Sequence, residues 1–221
     1  MTFAPATPLL DTAQAILQRR SIKSFKPDPI APEMLQKLLE LTVAAPSSWN
    51  LQDWRIVLVQ SDEQKAALSE AAWGQEQIVQ APVTFVFAAA PYAWKDEAQM
   101  EKIYQEALDR GAWPPKAVER FKSVIPEFQE NLGDRNREYA IKDAMIAATH
   151  MALAAEAMGL SSCFMNGWAE DQVKEVIGAG DNLAIAVLLP IGYKAEPRKN
   201  PGRLPLSNNV FVDQIGNAYP G

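Results

Sequence analysis

Apolar residues first recur at helical spacing at Leu10, Ala13, Ile16 and Leu17, with Asp11 placed to cap them. Pro32 suits the first position of a second helix, whose stripe is Leu35, Leu38, Leu39 and Thr42 and which Pro46 closes. A turn-rich stretch, 46–50, follows, and then a strand from Arg55 to Val59. Ser61 with Gln64 makes a capping box for a helix through Ala72. Residues 75–80 read as another short helix, and Pro82 leads into a strand from Val83 to Ala89. Residues 92–132 are charged and aromatic and read as two or three short surface helices. The strongest helical pattern covers 135–158. Between Ala144 and Met158 it is apolar or small on nearly every side, which predicts burial on most sides. Gly159 stands where a helix C′ residue belongs. Residues 161–165 read as a short strand, 170–177 as a short helix and 183–191 as a buried strand. The proline-bearing tail, 194–221, reads as extended.

This order predicts an α+β fold, a sheet layered with helices, in one domain spanning 1–221. Gly178-Ala179-Gly180 precedes a strand and lacks a third glycine, so it is no dinucleotide fingerprint. The apolar runs 81–91 and 183–192 are too short to cross a bilayer as helices. The first residues lack the basic start of a signal peptide, and a cytoplasmic location is expected.

Charge and composition narrow the chemistry. A net charge of −6 argues against nucleic acid and anionic membrane as partners. A single cysteine, Cys163, excludes a disulfide framework or a cysteine metal cluster. A single histidine, His150, leaves little for a zinc site or a Ser-His-Asp triad. His150 lies in the apolar long helix and reads as a satisfied core residue, and Cys163 as an inert buried thiol. Met145, Met151 and Met158 read as core. Six tryptophans point to stacking surfaces or interfaces as well as core.

Two basic islands stand out on this acidic chain: Arg19-Arg20-Ser21-Ile22-Lys23, and Arg198-Lys199 with Arg203. Cations with a hydroxyl between them suit a phosphate. On spacing alone, solvated charges closing a helix C-terminus are the favoured account. The segment Pro46-Ser47-Ser48-Trp49-Asn50-Leu51-Gln52-Asp53-Trp54 offers hydroxyl and amide groups to a polar ring edge and indoles as flat faces. A loop with Ser/Asn turn chemistry explains it equally well.

The ordered set RRSIKSF, then APSSWNLQDW some twenty residues on, a glycine turn before the last helix–strand pair, and GRLPL near the end resembles the FMN-dependent nitroreductase family. The resemblance spans about residue 10 to 212 and reverses the balance on the basic islands. It implies a mostly antiparallel central sheet layered with helices, and an intertwined homodimer with an FMN at each of two interface sites. It places Arg19, Ser21 and Lys23 along the FMN phosphate, ribityl chain and pyrimidine edge, with Arg20 beside them. Arg203, helped by Lys199, closes on the phosphate. Pro46, Ser47, Ser48 and Asn50 reach the isoalloxazine from the partner subunit, and Gly74, Gln75, Glu76 and Gln77 contact the ring's carbonyl edge or ribityl chain. Asn166-Gly167 supplies a backbone amide toward flavin N5. Asp53 stands where the family pattern has proline, which implies a changed loop. The segment 92–132 covers the flavin mouth, where Trp94 and Trp113 either shape the substrate pocket or pack.

On this resemblance the flavin carries the redox chemistry, so no protein nucleophile is required. The expected activity is ping-pong hydride transfer from NAD(P)H to a small nitroaromatic or quinone-like electron acceptor, with Lys23 in an electrostatic role. The rivals are another flavin chemistry within the family, such as reductive dehalogenation, and a non-catalytic flavin-binding or redox-sensing module.

Overall fold

The computed structural model describes residues 9–220; the reading of the first eight residues as no signal peptide lies outside them. Nine α-helices and four strands occur among the described residues: α1 (Thr12–Gln18), α2 (Pro32–Val43), β1 (Trp54–Val59), α3 (Asp62–Ala71), α4 (Gln77–Gln80), β2 (Val83–Ala89), α5 (Glu97–Asp109), α6 (Pro115–Leu132), α7 (Asn136–Ala157), β3 (Ser161–Ser162), α8 (Glu170–Ile177), β4 (Ala184–Gly192) and α9 (Leu206–Asn209). The predicted caps hold. Asp11 accepts the Gln14 N–H, Ser61 accepts the Gln64 N–H, Pro32 is at the start of α2, and Gly159 follows α7 at φ 82°.

The sheet order is β1-β2-β4-β3, with every neighbouring pair antiparallel. β2 and β4 are central and buried along their whole length, which is why both read as unbroken apolar runs. Alternation along β2 divides the core. Val83, Phe85, Phe87 and Ala89 face α2 and α7, whereas Val86 and Ala88 face α3 and α8. Alanines 140, 144, 147, 148, 152 and 155 of α7 are buried, and their small side chains let this helix lie close against the sheet.

Several expectations are corrected. Between Ala144 and Met158 α7 is covered on most sides, but Ile146 and Thr149 form an exposed strip, and His150 and Leu153 are half-covered. His150 is therefore no satisfied core residue. On α1 only Ala15 is buried, and Ile16 and Leu17 stand in solvent. Both patterns are apolar without being fully covered by this chain. Segment 92–132 forms two substantial helices, α5 and α6, with a small core of their own around Trp94, Tyr104 and Ile125. The strand at 161–165 shrinks to two residues plus an isolated bridge from Met165 to Leu188. The tail is not simply extended. It carries α9 and a bridge from Phe211 to Ala218. Cys163 and Met151 are fully buried, and Met145 and Met158 pack partly buried against the core. Among the described residues no helix is long and apolar enough to cross a membrane.

Candidate functional site

Arg19 to Lys23 leave α1 as an extended segment beside β3. Ser21 bridges Ser162 in parallel, and the Ile22 N–H donates to Ser162 O at 3.0 Å. Extended backbone turns alternate residues to one side, so Arg19, Ser21 and Lys23 oppose the buried Ile22. Ser21 and Lys23 are exposed and Arg19 is half-buried. The Arg19 guanidinium lies 6.0 Å from the centre of the Phe164 ring, and its Nη1 is buried without a hydrogen-bond partner. Arg20 behaves differently. It donates to Leu17 O at 2.7 Å and Arg19 O at 2.8 Å, closing the helix end, and it lines a cavity of about 170 Å³ with Glu156, Lys194 and Arg198.

The chain leaving β3 passes Phe164 and reaches Asn166-Gly167, so this turn belongs to the same sheet edge as the basic strip. Gln75 Nε2 donates to the Gly167 carbonyl at 2.9 Å, and Gln77 Nε2 donates to Gln75 Oε1 at 3.1 Å. Trp73, 71% exposed at φ 60°, lies over the glycine. A Cβ on Gly167 would sit 3.0 Å from the indole Cζ3, so any larger residue would have to push the exposed Trp73 ring aside. The structure thus brings together Arg19, Ser21, Lys23, Gln75, Gln77, Asn166 and Gly167 along the β3 edge.

Pro46, Ser47, Ser48 and Asn50 sit elsewhere, on the loop that enters β1 at the opposite edge of the sheet. The loop is tightly built. Trp49, Asn50 and Gln52 have φ of 54°, 54° and 48°, and the Ser47 hydroxyl accepts the Gln52 N–H at 2.9 Å. Asp143 of α7 takes the Ser48 N–H at 2.9 Å. Trp49 packs edge-on against Phe121 at 5.5 Å and Phe128 at 6.0 Å of α6. Gln99 of α5 donates to Leu51 O at 2.9 Å and accepts from Arg55 at 2.7 Å. Asn50 and Gln52 face a cleft of about 410 Å³ shared with α5. Trp94 and Trp113 are packing residues of the α5–α6 core.

Lys199 and Arg203 lie in a run, 194–210, that is exposed at every position. The Arg203 guanidinium donates to the neighbouring Gly202 carbonyl at 2.6 Å.

Sequence reasoning missed Asp143, Trp73 and Phe164. Asp143 carried a signal: it is an acidic residue in register with Ala140, Ala144 and Ala147 on an otherwise apolar helix face.

A helix-layered antiparallel sheet with a basic strip along one edge, beside a glycine turn, defines an α+β protein. The sequence model of the Nitroreductase family matches residues 16–193, and the chain belongs to that family. A protein named NADH dehydrogenase from Thermus thermophilus is 34% identical, the match covering 92% of this chain and 97% of the relative. Protein DrgA of Synechocystis is 32% identical over 93% of this chain and 98% of its own length. A candidate nitroreductase from Exiguobacterium sibiricum, solved in complex with FMN, superposes with a TM-score of 0.85 at 26% identity, covering 93% of this chain and 99% of that one.

Proposed function

We propose that this chain is an FMN-dependent oxidoreductase that moves hydride from NAD(P)H to nitroaromatic or quinone-like acceptors by a ping-pong mechanism, as an intertwined homodimer of single-domain subunits located in the cytoplasm. The observation that carries the reading is Arg19. A guanidinium nitrogen buried without a partner beside Ser21 and Lys23 is unsatisfied until an anion arrives, and a flavin phosphate supplies one.

The other donors fit the rest of that cofactor. Ser21 and Lys23 continue the polar strip past the phosphate, Lys23 toward the pyrimidine edge. Gln77 holds Gln75 and Gln75 holds the Gly167 carbonyl, a chain of amides that sets the turn for a carbonyl-bearing ring. FMN, when bound, supplies the hydride-accepting and hydride-donating chemistry. The chain binds and orients the ring, keeps one face open, and sets positive charge where negative charge develops.

Two chains are needed for this site. β1 and β3 are separated by two strands, about 14 Å apart at ordinary spacing, so the 46–50 loop and the Arg19 strip of one subunit lie on opposite edges. A second copy brings its loop to the strip. The uncovered apolar residues support this: Ile16 and Leu17 on α1, Ile146 on α7, and Leu204, Leu206 and Ile215 in the tail. In the dimer the tail packs on the partner, and Lys199 and Arg203 close on the phosphate.

The test is the colour of the purified protein and its bleaching by NADH or NADPH without oxygen, followed by turnover with quinones and nitroaromatics. Yellow protein bleached by a nicotinamide and reoxidised by these acceptors is the expected result. Yellow protein that neither nicotinamide bleaches would replace the reductase with a flavin-binding module.

A further inference from the structure

The loop that enters β1 is fastened at its base by two carboxyl groups. Asp143 is 3% exposed and receives two Ser48 donors, the backbone N–H at Oδ2 (2.9 Å) and the hydroxyl at Oδ1 (3.4 Å). Asp53 is also 3% exposed and faces Asp143 within hydrogen-bond reach, yet its Oδ1 is buried without any donor. The groups set against Asp53 are Asp143 from α7 and Arg55 from β1; those set against Asp143 are Ser48 from the loop and Asp53. Arg55 is engaged elsewhere, donating to the Gln52 and Trp54 carbonyls and to Gln99. Two ionised carboxylates cannot hydrogen-bond, because neither has a hydrogen to give. Buried in contact, they also repel, so the second ionises only well above the usual carboxylate range.

We propose that Asp53 and Asp143 hold one proton between them and act as a positioning pair for the flavin-facing loop. Asp143 is the ionised member that takes the Ser48 donors, and Asp53 supplies the hydrogen that joins the two. This inference rests on the FMN reading above.

Burial, then the Asp143 charge, pushes the Asp53 carboxyl up to about 7, against its own backbone hydrogen bond and Arg55. Burial likewise raises Asp143, opposed by the Ser48 donors and Asp53. The pair therefore keeps its proton in mildly acidic solution and loses it near neutrality. Once it is lost, like charges meet at the base of a loop whose Trp49, Asn50 and Gln52 are held at positive φ. Such backbone persists only while its surroundings hold it. Separation of the pair frees Ser48 and its neighbours from the geometry that meets the partner's flavin.

The experiment measures FMN dissociation constants of the full-length protein by flavin fluorescence from mildly acidic to mildly alkaline pH. Wild type, Asp53→Asn and Asp143→Asn are compared. Wild-type affinity should fall several-fold as pH rises through about 7, where the Asp53 carboxyl gives up its proton. Asp53→Asn keeps an N–H donor toward Asp143 at every pH, so its affinity should stay flat near the wild-type acid value. Asp143→Asn removes the acceptor for Ser48 and should bind FMN more weakly throughout. Parallel wild-type and Asp53→Asn curves overturn the proposal.

Thermal unfolding of the same proteins gives a readout independent of flavin. The folded Asp53 carboxyl binds its proton up to about 7, and the unfolded one only to 3.8. The folded state therefore holds the extra proton between those values, and wild type should lose stability relative to Asp53→Asn as pH rises across that window. Above it the difference should be constant. If the unfolding difference appears but no variant binds FMN at any pH, the shared proton stands, and the FMN reading and its coupling to the loop both fall. If FMN binds and neither readout separates the variants, the pair is wrong and the FMN reading stands.

Discussion

Gln75 Nε2 donates to the Gly167 carbonyl at 2.9 Å, joining the turn after α3 to the turn after β3 across 92 residues of sequence. That bond fixes which way the Gly167 peptide faces, and Trp73 closes over the glycine from above. In Gly167→Ala the new Cβ meets the Trp73 ring at 3.0 Å. The indole is exposed enough to swing away, so stability should change by less than about 1 kcal/mol. FMN affinity should fall, because the displaced ring and tilted peptide alter the flavin's seat. Gln75→Ala should likewise weaken FMN binding, at a stability cost of about 1 kcal/mol. Flavin titration alongside chemical denaturation separates the two effects.

Arg19→Ala removes a charge-assisted contact with the phosphate worth about 1.5–3 kcal/mol. FMN affinity should drop by about tenfold to a hundredfold. The fold should survive, since the lost Nη1 has no protein partner. Arg203→Ala should also shed FMN if the tail closes on the same phosphate. Flavin-to-protein ratios after gel filtration report both, and full occupancy in both variants would remove the clamp.

Lys23→Met tests electrostatic tuning. A fixed ammonium about 4 Å from negative charge on the reduced ring, at an effective dielectric near 20, is worth about 4 kcal/mol before desolvation. Each ~1.4 kcal/mol retained moves a two-electron potential by about 30 mV. The variant's midpoint potential should fall by tens of millivolts, and reduction by NAD(P)H should slow. Redox titration of FMN-saturated proteins decides it, with unchanged potentials making Lys23 a surface charge.

Leu17 is 70% exposed in the single chain. Were that its final environment, Leu17→Glu would change little. In a dimer that buries α1, the same substitution places a charge in an apolar interface and should yield monomer that sheds FMN. An obligate interface buries above about 2,000 Å² and should hold wild type as a dimer on dilution to nanomolar concentration. Sedimentation at low concentration reads both outcomes, and a stable wild-type monomer with bound FMN would defeat the two-chain site.

What the sequence by itself determined is local or periodic. Pro32 and Asp11 place helix starts, Gly159 places a helix end, and the unbroken apolar runs of β2 and β4 declare strands buried on both faces. Arg19, Ser21 and Lys23 were visible as a basic island, and extended backbone alone explains why they face one way. The tertiary structure decided which islands meet. It turned Arg20 back onto its own helix end, set Gln75 against Gly167, and put the 46–50 loop at the far edge of the sheet from Arg19. A basic residue closing a helix end was readable from spacing, but chain order does not encode sheet order, so the Gln75–Gly167 contact and the place of the loop were not. The pattern on α7 and α1 was read correctly as apolar, but this chain leaves part of it uncovered, because periodicity reports which residues share a face and not what covers that face. Asp53 and Asp143, ninety residues apart, look like two ordinary acids until folding buries them against each other, where contact alone gives them their chemistry.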